Sequence, residues 1–249
     1  MKAALLKLAD TYKAEGYRLL TQRLKRAGFA VNHKRVYRLY VSLNLHLRIK
    51  RRKRLPEREA LKLIPCTAPN QCWSMDFMSD SLEWGRKFRT LNIIDDFNRE
   101  VLHIEIGTSL PSQRVVNVLQ RLIDWQGKPA QIRVDNGPEY IAKSLRKWCE
   151  EQQITLLYIQ PGKPTQNAYV ERFNGTYRAY VLDAWLFRNL REVERVSEEF
   201  RMDYNTQRPH SSLNYQTPEE YKNEFYKKQL SPQGEFPLWA GSQTLETLN

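Results

Sequence analysis

The sequence predicts an α/β protein: a mixed sheet flanked by helices, preceded by a small helical segment rich in positive charge. Three observations carry this. From residue 72 onward the apolar pattern alternates between a period of two and a period near 3.6, in the order β-β-β-α-β-α-β-α. The first three strands follow one another over short links, as in an antiparallel meander. The excess positive charge is confined to the first fifth of the chain. Residues 1–54 hold 16 Lys and Arg against 2 acids, a balance of +14, whereas the remaining 195 residues sum to −2.

In the N-terminal segment, "GYRLLTQRLKRAG" places Tyr17, Leu20, Leu24 and Ala27 on one helical face, and Gly28 ends it. "NHKRVYRLYVSLNL" places Val36, Leu39, Tyr40 and Leu43 on one face, with Asn32 as N-cap. The link "GFAV" suits a helix-turn-helix over residues 1–46, whose second helix presents His33, Lys34, Arg35 and Arg38 outward. A helical hairpin with merely solvated charges has the same pattern. The density of charge favours a polyanion, and Lys34, Arg35 and Arg38 are candidate DNA contacts. A basic linker follows over 47–71. Its run Arg51, Arg52, Lys53, Arg54 can track phosphates without reading bases.

The sheet domain is placed at 72–225. "CWSMDFMS" alternates, with Trp73, Met75 and Phe77 one way and Asp76 the other. "KFRTLNIIDDF" and "EVLHIEIGT" complete the meander. "PSQRVVNVLQRLIDWQG" is a helix opened by Pro111 and Ser112. "AQIRVDNGPEY" is a short strand ending in a turn at Asn136-Gly137, "AKSLRKWCEEQQ" a helix and "ITLLYIQ" a strand. "TQNAYVERFNGTYRAY" is a helix with Val170, Phe173, Tyr177 and Val181 on one stripe. Asn167, Glu171, Asn174 and Arg178 form the other. A further helix covers 188–204, and residues 226–249 read as a poorly structured tail in which Phe236 and Trp239 could dock.

Several classes are excluded. No run of about 18 apolar residues spans a membrane, and the N-terminal stretch carries charges through its apolar part, unlike a secretory signal. Cys66, Cys72 and Cys149 are an odd set without CxxC spacing, and none of the four histidines joins them at zinc-ligand spacing. A reducing, cytoplasmic setting fits.

The chemistry lies in the carboxylates. Asp76 sits mid-strand opposite apolar neighbours, a costly place without a partner or a metal. Asp135 ends its strand, where open α/β sheets place their chemistry. Glu171 lies on the polar stripe of a later helix. Three carboxylates from two strands and a helix suit a hard divalent cation such as Mg²⁺. Asp95 and Asp96 read as turn or cap acids, Asp80 and Glu83 as hairpin acids, and Glu139 as a supporting residue.

With 35 residues between Asp135 and Glu171, and Asp76 before them, the set resembles the D,D(35)E signature of retroviral integrases and insertion-sequence transposases. "WSMDF", "VDNGPEY", "QPGKPTQNAYVERFNGTYR" and "YNTQRPHSSLNYQTPEEY" resemble the catalytic subunit, often called orfB, of insertion sequences related to retroviral integrases. The resemblance covers roughly 15–225. It implies an RNase H-like core with Asp76, Asp135 and Glu171 as catalytic metal ligands for two Mg²⁺ ions, Mn²⁺ substituting. It implies Arg178 as a DNA contact, and Asn167 and Asn174 as supporting contacts either to DNA or to the residues around the metal. The chemistry it implies is cleavage at element ends by water, then attack of the freed 3′-OH on target DNA, without a covalent protein intermediate. It further implies a bacterial, nucleoid-associated homo-oligomer in a synaptic complex, sometimes fused to an upstream-frame DNA-binding protein. A nuclease that cuts without joining and a DNA-binding protein with a decayed site remain the competing classes. The zinc module that precedes the core in retroviral integrases is absent from this sequence.

Overall fold

The computed structural model describes residues 1–47, 65–160 and 164–230. The basic run Arg51, Arg52, Lys53, Arg54 and the aromatic pair Phe236 and Trp239 lie outside the described residues. Three helices open the chain: α1 (Lys2–Thr11), α2 (Tyr17–Arg26) and α3 (His33–Ser42). The first is not expected from the sequence, because Lys2, Lys7 and Asp10 break the apolar stretch that Leu5 anchors. Leu5, Leu20, Leu24, Val36 and Tyr40 form a core of their own, which accounts for the stripes on α2 and α3. Asn32 caps α3 as its sequence suggests, its Oδ1 accepting the Lys34 amide at 2.9 Å.

The sheet domain follows the expected order. Its elements are β1 (Cys72–Ser81), β2 (Lys87–Asp95), β3 (Val101–Gly107), α4 (Ser112–Gln126), β4 (Gln131–Val134), α5 (Pro138–Ile141), α6 (Lys143–Glu151), β5 (Thr155–Tyr158), α7 (Ala168–Tyr177), α8 (Leu190–Thr206) and α9 (Pro218–Leu230). The strands lie in the order β3-β2-β1-β4-β5. β1, β2 and β3 are antiparallel neighbours, and β4 and β5 run parallel to β1. α9 continues five residues past the boundary set at 225. Phe225 packs edge-on against Phe97 at 5.0 Å, and this apolar anchor carries the helix into the expected tail.

The two faces of the sheet bury separate cores. Trp73, Met75, Ile132 and Val134 face α4 and α6. Phe88, Ile94, Ile104 and Ile106 face α7 and α8, where Val170, Phe173, Tyr177 and Val181 fill the interior. Because successive strand residues alternate faces, Asp76 is directed to the side of α7. α7 does not end as a plain α-helix. It passes into a π-turn over Arg178–Leu182, closed by the Asp183 amide on the Arg178 carbonyl at 2.8 Å.

The helical module is joined to the sheet domain through buried charge. Arg23 makes a two-pronged bond to Glu15 at 2.8 Å on each side and lies over the Tyr12 ring. From α8 and the residues after it, Asp203 and Arg208 complete the cluster, Arg208 bonding Glu15 at 3.1 Å. Arg26 pairs with Glu220 at the rim. A buried cluster of this kind is costly to break from one side, since it strands an unpaired charge.

Candidate active site

Asp76 and Asp135 reach the same place by strand register. β1 and β4 run parallel with Ser74 opposite Arg133, so Asp76 and Asp135 each lie two residues beyond that pair, on the same face. Asp135 leaves β4 at a turn that its own side chain shapes. Its Oδ1 accepts the Gly137 amide at 2.9 Å. A Cβ at Gly137 would stand 3.0 Å from that oxygen, so a larger residue here would press on the Asp135 carboxylate.

Asp76 is held from two sides. Its Oδ1 accepts its neighbour's backbone amide, Phe77 N–H, at 2.9 Å, and its Oδ2 accepts Asn174 Nδ2 of α7 at 2.7 Å. Asn174 is itself oriented by Asn92 Nδ2, which donates to its Oδ1 at 2.7 Å. Asn92 is the cross-strand partner of Asp76 on β2. The three form a chain from strand to strand through the helix. Two helical turns before Asn174, Asn167 donates to the Met75 carbonyl at 3.3 Å from the same stripe. Glu171 lies on that stripe between the two anchored residues and is exposed. The helix is thus fastened to β1 on both sides of its glutamate.

The electrostatics match this packing. Burial raises the Asp76 carboxyl to about 6, and the charges of Asp135 and Glu171 push in the same direction. Burial also raises Glu171. Asp76, Asp135 and Glu171 have no ion-pair partner among the described residues, although arginines are abundant nearby. Beneath them Tyr140 is fully buried, stacks on Phe77 at 5.1 Å and has a hydroxyl without a hydrogen-bond partner. Burial, together with the charges of Asp76 and Asp135, holds its pKa well above the usual phenol range.

Among the described residues no three His, Cys, Asp or Glu side chains stand close enough to hold a metal together. Glu171 is the exposed member of the three, and its charge, like that of Asp135, acts on Asp76. The donor set still fits a hard cation. It consists of carboxylate oxygens only, its members repel one another, and no basic side chain among the described residues neutralises it.

The DNA contacts read from the sequence divide. Lys34, Arg35 and Arg38 are exposed on α3, as expected. Asn167 and Asn174 are buried, Asn167 donating to the Met75 carbonyl and Asn174 to Asp76. Of the two roles open to them in the sequence, contact with DNA or support of the carboxylates, these bonds match the second. Arg178 stands at the start of the π-turn and is half engaged. It bonds Asp80 at 3.2 Å, Asp183 at 3.4 Å and the Ser79 carbonyl at 3.1 Å.

The remaining acids serve the fold. Asp95 accepts the amides of Asn70 and Phe97 at 2.7 and 2.8 Å, a turn-capping role, and Asp96 is held by Ser74 and Arg133. Glu139 pairs with Arg89. His210 is turned inward, its ring 4.6 Å from that of Tyr204, and burial lowers its pKa to about 3. Sequence reasoning misses Asn92 and Tyr140. Only the pairing of β1 with β2 identifies Asn92, and a single polar residue within "TLNIID" gives no other signal.

Comparison with known proteins gives a consistent picture. Residues 67–164 and 152–218 each match a family described as "Integrase core domain", and residues 2–53 match an "HTH-like domain". A 31.7 kDa protein of insertion element IS407 from Burkholderia multivorans is 40% identical over 223 residues, covering 89% of this chain and 80% of that protein. The putative transposase InsK of insertion element IS150 from Escherichia coli is 30% identical over 226 residues, covering 85% and 78%. Among solved structures, the HTLV-2 integrase catalytic core in complex with magnesium superposes with a TM-score of 0.51 at 17% identity. It covers 63% of this chain and 98% of that one. A chain of the simian T-cell lymphotropic virus intasome in complex with the PP2A regulatory subunit B56 gamma gives 0.58 at 17% identity, covering 98% of this chain and 80% of that one. The two likenesses show the fold.

Proposed function

The chain belongs to the insertion-sequence transposases with an integrase-type catalytic core and catalyses DNA transposition, and we propose that Asp76, Asp135 and Glu171 are its catalytic carboxylates. The observation that carries this is that β1, β4 and α7 bring three acids to one face of the sheet, none of them with an ion-pair partner among the described residues. Evolving a fold that fastens a helix to Asp76 through Asn174, while leaving three acids without a cation, is costly for stability alone.

In this reading Asp76 and Asp135 are the fixed members and Glu171 the adjustable one. Asn174 and Asn92 hold the orientation of Asp76, and the Gly137 amide holds that of Asp135. Glu171 closes over them from α7. Together they hold Mg²⁺, two ions with Mn²⁺ able to replace them, which when bound supplies Lewis acidity to phosphoryl transfer. Arg178 lies roughly 10 Å along the helix axis from Glu171, at about 1.5 Å per residue, suited to a phosphate beside the scissile bond. Residues 1–46 bind DNA through Lys34, Arg35 and Arg38. The linker 47–71 follows the backbone with Arg51, Arg52, Lys53 and Arg54. The protein works as a homo-oligomer on paired element ends.

The test is conservative substitution. Asp76→Asn, Asp135→Asn and Glu171→Gln each keep volume and remove a ligand charge. Each is expected to lower metal-dependent cleavage of an element end by about 10³-fold or more, several kcal/mol of transition-state stabilisation. Binding of Mn²⁺, followed by its electron paramagnetic resonance signal, should weaken in parallel while DNA affinity stays within about twofold. Near-normal rates in two of the three variants would remove the triad.

A further inference from the structure

The structure assigns a second DNA-facing surface, at the tip of the β1–β2 hairpin. There the hairpin and the segment 183–189 after the π-turn are clasped together. The Glu83 amide donates to the Phe187 carbonyl at 2.8 Å, Phe187 packs edge-on against Phe88 at 6.4 Å, and Arg188 pairs with Glu83 at 3.5 Å. The clasp leaves its largest apolar groups outside. Trp84 is 80% exposed, Leu186 72% and Trp185 53%. Large apolar side chains grouped in solvent mark a contact site.

The charges around them point to the occupant. Asp80 and Asp183 pair with Arg178 and Glu83 with Arg188, while Glu192 at the start of α8 accepts the Arg188 amide and Asn189 Nδ2. Arg86, Lys87 and Arg191 are exposed and have no ion-pair partner among the described residues. Two of these cations, Arg86 and Lys87, follow Trp84 by two and three residues on the same hairpin. A nucleic acid supplies both phosphates for these cations and π-faces for the indoles.

Position supports the same occupant. β1 runs from Asp76 to the hairpin, and α7 with its π-turn runs from Glu171 through Arg178 to Asp183. Both elements therefore lead from the carboxylates to the tip. Five strand residues at about 3.3 Å each put the start of the hairpin roughly 16 Å from Asp76, a few nucleotides away. We propose that Trp84 and Trp185 form a stacking platform for unpaired bases of the DNA strand that extends beyond the site of cleavage. The inference rests on the transposase reading and adds the unpaired strand as the ligand.

The test uses the full chain carrying Asp76→Asn, so that no DNA is cut, and two probes. One is a blunt duplex bearing the element end. The other is the same duplex with a single-stranded extension containing 2-aminopurine. The extension is expected to tighten binding and to change the 2-aminopurine emission on binding. Adding Trp84→Ala and Trp185→Ala should lose about tenfold of the affinity for the extended probe while leaving the blunt probe unchanged. Trp84→Phe with Trp185→Phe should recover part of the loss. The ratio of the two affinities within each protein separates stacking from any general damage to the fold. Equal affinities for both probes in the parent would overturn the platform alone. So would alanine variants that bind DNA normally but lose self-association, which would assign the patch to a second copy of the chain. A parent that bound neither probe would overturn the platform and the transposase reading together.

Discussion

In the N-terminal module the cations proposed to meet DNA are exposed and have no ion-pair partner among the described residues, whereas in the sheet domain the two aspartates proposed for the chemistry are partly buried and held by hydrogen bonds. Lys34, Arg35 and Arg38 stand on the outer face of α3, exposed to solvent. Asp76 is fixed by a backbone amide and by Asn174, which Asn92 orients in turn. The first arrangement binds through number of charges and tolerates loss of any one. The second depends on orientation, so a neutral residue that never touches substrate can matter as much as a charged one.

Asn174→Ala tests that contrast most severely. It removes the donor to Asp76 and leaves Asn92 without its partner, both in a buried setting. Cleavage should fall by up to about 100-fold, with more metal needed for half-maximal rate and DNA affinity unchanged. A purely structural asparagine would lower the melting temperature and leave the metal dependence of the rate where it was. In the helical module, changing Lys34, Arg35 and Arg38 together to Ala should reduce the log–log salt slope of DNA binding by about 2.7, at about 0.9 per phosphate contact. Cleavage at saturating DNA should stay near normal. An unchanged slope would mean that α3 does not meet phosphates.

Arg178 lies between the two cases, and the smallest effect is expected there. To reach a phosphate it must give up Asp80 and the Ser79 carbonyl, so the net gain is about 1 kcal/mol, or about fivefold in rate at subsaturating DNA. Arg178→Ala should show that loss, with a change in melting temperature of only a few degrees, as for other partly exposed ion pairs. Single-turnover cleavage identical to wild type would leave Arg178 as a brace for the hairpin and nothing more.

The same contrast explains what could be read from the sequence. Alternation in "CWSMDFMS" sets Asp76 against its apolar neighbours, and the outward positions of α3 follow from its period and its Asn32 cap. Both depend on neighbours along the chain. Asn92 depends on a register fixed by the hairpin, and Asn167 and Asn174 on a helix being laid across β1, so the sequence stripe alone leaves the last two open between DNA and the carboxylates. The π-turn after Tyr177 and the Glu15–Arg23–Arg208 cluster are likewise products of tertiary packing. Asp80 reads as a plain hairpin acid until Arg178 is seen beside it.

The most direct measurement of the central claim is joining of a precleaved element end to target DNA by the wild-type chain and by Glu171→Gln. The carboxylate reading predicts Mg²⁺-dependent joining by the wild type. It predicts loss of that joining in Glu171→Gln with the donor end still bound, because the same acids serve water and the 3′-OH as attacking groups. A wild-type chain that cleaved ends but never joined them would be a nuclease rather than a transposase. Joining by Glu171→Gln at the wild-type rate would contradict the assignment of the site.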